Sequence, residues 1–141
     1  MSTKTLIGAL IGAVVFWMMG FIMYVLLVGK MIAQYTTANR PHGEEMMVHL
    51  ILGQLVFGLL LAWLWSRMGI TTFSRGLTSG AIVGFLSALG ANLITFATMT
   101  VWTDPVGIIY DVIALTVIWA VTGGVVGWYM GYSGRSNKQP A

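Results

Sequence analysis

From Gly76 to Phe96 the chain reads GLTSGAIVGFLSALGANLITF. No charged side chain interrupts this stretch, and it is long enough to cross a bilayer as a helix. Gly76, Gly80, Gly84 and Ala88 place a small residue at every fourth position, and the row ends on a polar one, Asn92. Gly8 to Gly12 echoes Gly80 to Gly84, and Gly123, Gly127 and Gly131 form a second four-spaced row. Small residues at this spacing let two helix backbones approach closely, which is how helices gain contact energy where the solvent is as apolar as leucine.

Three further apolar runs accompany it. The reading is one transmembrane domain over residues 1–141, with spans at about 5–28, 45–68, 76–99 and 105–132 and a disordered polar tail at 133–141. Each run meets the ~20 residues that a helix needs to cross a hydrocarbon core. The first is too long for the apolar core of a signal peptide and no small-x-small cleavage pattern follows it, so it reads as a retained helix. Pro41 and Gly43 break the loop after it. Arg67 suits the C-terminus of the second span, and Trp63 and Trp65 suit the membrane interface. Asp104 reads as the N-cap of the fourth span and Pro105 as its first residue.

Composition agrees. Hydrophobic residues make up 57% and charged residues 8% of the 141, too little charge to cover a soluble surface. The bilayer is therefore the first partner. The net charge of +3 comes from singly scattered basic residues, which speaks for membrane topology and against a nucleic-acid partner. Lys4, Arg67, Arg75, Arg135 and Lys138 fall on one side, and Lys30 and Arg40 on the other with Glu44, Glu45 and Asp104. The basic excess places both termini in the cytoplasm, for a multi-pass protein of the cell inner membrane. The chain has no cysteine, which excludes disulfides and thiolate sites.

A shift of 72 lays the first span on the third, with Gly8 on Gly80, Gly12 on Gly84, Gly20 on Asn92 and Tyr24 on Phe96. A shift of 62 lays the second on the fourth, with Phe57 on Trp119, Met68 on Met130 and His49 on Asp111. The expected fold is all-α, a bundle of four transmembrane helices built from two parallel helical-hairpin repeats. Gly8, Gly12, Gly76, Gly80, Gly84, Gly123, Gly127 and Gly131 would pack helices in the cytoplasmic half, either within one chain or along a seam between two.

The polar residues of the spans gather in the outer half. His49, Asp111, Asn92, Gln54, Tyr24 and Thr95 are the candidate pocket, with His49 and Asp111 as a repeat-related pair. The bland reading puts His49 and Asp111 at headgroup level in water, and Asn92 and Gln54 in ordinary hydrogen bonds between helices. His42, Glu45 and His49 share a helical spacing and could join Asp111 around a metal, but match no metal signature, so no metal site is assigned. No cofactor is assigned either: the two histidines lie too near one surface for a haem. There is no phosphate loop, no nucleophile elbow and no deep carboxylate pair, so no catalytic residue is named and an enzyme is the least supported reading.

The glycine patterns Gly8 to Gly12, Leu52 to Gly58, Gly80 to Gly84 and Gly123 to Trp128 resemble small, uncharacterised four-helix bacterial integral membrane proteins. That resemblance implies a fold and no activity. Two functions compete: an ion- or small-molecule-binding protein, as a transporter or channel protomer, with its site in the outer half; and an accessory or assembly subunit of a larger membrane complex. A homo-oligomer fits either.

Overall fold

The structure, a computed structural model, describes residues 2–37 and 44–136, for 134–136 the backbone only. The described residues form long helices and no strand. Apolar sequence in lipid has no water to satisfy its peptide groups, and a helix pairs them internally. Helix α1 runs Thr3–Phe21 and continues as a wider π-helical segment, Ile22–Leu27. A short helix α2, Gly29–Ala33, follows. Then come α3, Met47–Met68, α4, Phe73–Thr98, and α5, Pro105–Ser136. Four of these segments are long and apolar enough to cross a membrane.

Helix ends follow local chemistry. Ser2 Oγ accepts from the Thr5 amide at 3.3 Å, and Thr72 Oγ1 from the Arg75 amide at 3.4 Å. Asp104 Oδ1 accepts from the Val106 amide at 2.8 Å, with Pro105 as the first helical residue. Gly69 ends α3 in the left-handed conformation, φ 63°, which a residue with a side chain rarely adopts. Helix α4 starts before the expected Gly76, because Thr72 already caps it. Helix α5 reads through the expected boundary at Tyr132 to Ser136, since Met130 is buried and Gly131 lies on the Thr71 carbonyl. Residues 137–141 of the expected tail lie outside the described residues, as do Arg40, Pro41, His42 and Gly43.

Helix α5 is the central element. It packs along α4 and against α1, while α3 packs chiefly on α1. The two hairpins are therefore not arranged alike: α5 lies on α1, whereas α3 and α4, the counterparts under the expected repeat, share little contact. The glycine rows lie inside this bundle. A Cβ at Gly76 would strike the Gly123 carbonyl, one at Gly80 the Trp119 carbonyl, and one at Gly84 the Trp119 side chain. On the other side, a Cβ at Gly12 would come within 3.2 Å of the Gly58 backbone, and one at Gly8 would meet Met130.

These close approaches belong to the half of the bundle that carries the chain ends. Ser2, Lys4, Gly69, Ile70, Thr71 and Met130 border one small cavity there. Leu61, Trp65, Val126 and Met130 fill the core beside it. Phe16, Phe57 and Trp119 close its upper part with ring centroids 5.1–5.8 Å apart. The opposite end is the outer one under the expected topology. A groove of about 300 Å³ opens between α1 and α3, lined by Leu10, Ala13, Trp17, Met47, Ile51 and Gln54 among others.

Candidate functional site

The outer half of the bundle holds one polar cluster that joins three helical segments. Tyr24, on the π-helical segment, donates its hydroxyl to Asp111 Oδ1 at 2.5 Å. Asn92, on α4, donates its side-chain amide to Asp111 Oδ2 at 2.7 Å. The same Asn92 nitrogen donates to the Ala88 carbonyl at 3.0 Å, one turn earlier. Both of its partners are acceptors, so the orientation of the amide is fixed by its surroundings.

Each residue arrives there for a local reason. Asn92 continues the inward row of Gly84 and Ala88, and all three are buried. Asp111 is six residues from Pro105 and Asn92 six from Thr98, which puts both ~9 Å below the outer helix ends at 1.5 Å per residue. Tyr24 comes from the widened turn, where the Val28 amide reaches back five residues to the Met23 carbonyl at 2.7 Å. Gly29 makes room for that turn: a Cβ there would overlap the Tyr24 carbonyl.

A clasp covers the outer end. Thr36 and Trp102 pair as an isolated β-bridge. The Thr37 amide donates to the Val101 carbonyl at 3.2 Å, and the Thr103 amide to that of Tyr35 at 2.9 Å. Tyr35 stacks on Tyr110, the neighbour of Asp111, with centroids 6.2 Å apart, and Trp102 lies against Gly107. The clasp ties the segment after α2 to the start of α5.

The other candidates stand apart. His49 lies exposed in the first turn of α3 and has no hydrogen bond or ion pair among the described residues. Asp111 is met by Tyr24 and Asn92 rather than by His49, since α3 packs chiefly on α1 and shares little contact with α5. Gln54 lines the groove between α1 and α3, and Thr95 is half-buried; neither side chain has a hydrogen-bond partner among the described residues. No group of three or more acidic, histidine or cysteine side chains converges among the described residues, and His42 lies outside them.

Searches of protein-family models, of curated proteins and of solved structures find no match to this chain. The chemistry of the site thus rests on its own residues.

Several of its parts had no clear mark in the sequence. The π-helical segment has one trace, Gly29 set directly behind an unbroken apolar run. The clasp joins two polar stretches more than sixty residues apart, and no local pattern links them. Among its residues only the aromatic side chains Tyr35, Trp102 and Tyr110 hint at an interface position.

Proposed function

We propose that this chain is a multi-pass inner-membrane protein with cytoplasmic termini that binds a small cation at Asp111, as part of an ion-binding or transport role. One observation carries the reading. Asp111 is a carboxylate within a span whose two oxygens receive neutral donors, Tyr24 and Asn92, while no Lys, Arg or His pairs with it among the described residues. Neutral donors solvate a carboxylate without cancelling its charge. An uncompensated charge in a membrane is costly, and an ionisable residue there marks a site for ions or protons. A mobile cation from the outer side supplies what the side chains do not.

Thermal unfolding of the purified protein in detergent tests this. A cation that binds only the folded state stabilises it in proportion to the logarithm of its concentration. Raising the concentration of one small cation, protons included, should raise the melting temperature of the natural protein and leave Asp111→Asn unmoved. Identical responses in the two proteins across every ion and pH would remove the reading.

A second reading has its own support. The outer half of α3 is largely exposed, Val48 by 68% and Val56 by 63%, and the half-buried Gln54 has no hydrogen-bond partner among the described residues. A polar amide at that depth gains from a neighbouring helix that bonds it. This favours an accessory subunit seated against a larger membrane partner or a second copy. Mild purification from native membranes distinguishes the cases by returning the chain alone, as an oligomer, or with a partner.

A further inference from the structure

Resting on the cation reading of Asp111, we infer that the ion taken up there is a proton, received on the carboxylate and held against the Tyr24 hydroxyl. The direction in which the neighbours point decides between a metal ion and a proton. A metal ion needs several oxygen lone pairs converging on one point. Asp111 is instead faced by hydrogens, from the Tyr24 hydroxyl on one oxygen and the Asn92 amide on the other. Asn92 cannot offer its oxygen by turning over, because its nitrogen also serves the Ala88 carbonyl. A flip would set oxygen against oxygen at both contacts.

A proton asks for much less. It adds to Oδ1, the carboxylate becomes a neutral acid, and no other bond breaks. The new O–H then needs one acceptor, and the Tyr24 oxygen has lone pairs for it. The hydrogen bond between them reverses: the acid donates, Tyr24 accepts, and the phenolic hydrogen turns away. Asn92 continues to donate to Oδ2 in either state.

Among the described residues no other charged side chain is placed to compete for this role. The first span carries one charged residue, Lys4, and α4 carries one, Arg75, both at the opposite end of the bundle. On α2, Lys30 is exposed. On α5, Tyr110 is stacked against Tyr35. On α3, His49 is exposed and Arg67 is at the far end, and Asp104 is engaged as the cap of α5.

Infrared spectroscopy with isotope-labelled aspartate tests the inference on the whole protein, since Asp104 and Asp111 are the only two aspartates. Acidifying the natural protein in a choline salt should produce a protonated-carboxyl band of which one component, isolated by subtracting the Asp111→Asn spectrum, belongs to Asp111. That band should be the same when sodium, potassium or lithium replaces choline at constant pH. In Tyr24→Phe the band should persist at a higher frequency, because the acid has lost its acceptor; a merely structural tyrosine would leave it in place. If an alkali ion at constant pH instead erases the band and releases protons, Asp111 is an alkali-metal site: the proton inference falls and the cation reading stands. If no Asp111 band forms at any pH and no cation changes the spectrum, both fall. The alkali series needs only the natural protein, so poor folding of a variant does not leave the question open.

Discussion

The indole nitrogen of Trp65 donates to the carbonyl oxygen of Gly123 at 2.8 Å, tying α3 to the central helix in the buried core. Trp65 is fully buried, whereas Trp63, two residues away, is exposed. Of the two tryptophans expected at the membrane interface, Trp65 is thus in the core, and Trp63 is exposed with the Arg67 guanidinium 5.9 Å from its ring. Trp65→Phe removes the bond and leaves a carbonyl with one partner fewer, at a cost of about 1 kcal/mol or more. Denaturation in detergent should show that loss, and Trp63→Phe should match the natural protein.

Gly84→Leu should destabilise the bundle far more than Leu86→Ala. Any side chain at Gly84 runs into Trp119, whereas Leu86 is exposed on the outer surface. Overpacking at such a crossing costs roughly 1–3 kcal/mol, and more where backbone must move. Equal melting temperatures for the two variants would mean that α4 and α5 do not cross there.

The polar cluster should behave as a unit. Tyr24→Phe and Asp111→Asn, made singly and together, should couple by roughly 0.5–3 kcal/mol in a double-mutant cycle on unfolding. His49→Ala combined with Asp111→Asn should be additive, because nothing described joins the two. Coupling of His49 and none of Tyr24 would restore the repeat-related pair as the centre of the site.

Gly29→Ala should weaken the cluster through the backbone of Tyr24 rather than through its side chains. The added methyl overlaps the Tyr24 carbonyl, so the widened turn must rearrange and the Tyr24 hydroxyl must move from Asp111. The measurable outcome is loss of the Tyr24–Asp111 coupling in the alanine background. Gly53→Ala, where a Cβ meets open space, is the control.

A reporter active only outside the cytoplasm, fused after Tyr132, should be silent. The expectation rests on five basic residues at the end that carries the termini against two at the other. Strong reporter activity would invert the assignment of outer and inner ends.

The sequence reading reached furthest where one residue type decides the outcome locally. Unbroken apolar runs define the four long helices, Asp104-Pro105 marks where α5 starts, and the inward row from Gly76 predicts a buried Asn92. It reached less far where the result depends on how one helix is turned against another. His49 and Asp111 share a place in the aligned repeats, yet α5 packs on α4 and α1 while α3 packs chiefly on α1, and alignment carries no information about which helices meet. Tyr24 faces Asp111 only because a turn of the first span is wider than α-helical, which shifts the face of every residue beyond it. Periodicity counted at 3.6 residues per turn has no means of registering such a change.

The glycine crossings leave little room for adjustment where they lie: Gly12 meets the Gly58 backbone, and Gly76 and Gly80 meet carbonyls of α5. The groove between α1 and α3 is different, since its lining is apolar side chains together with Gln54. A lipid chain or an apolar helix face laid along it would meet matching surface and one amide to bond.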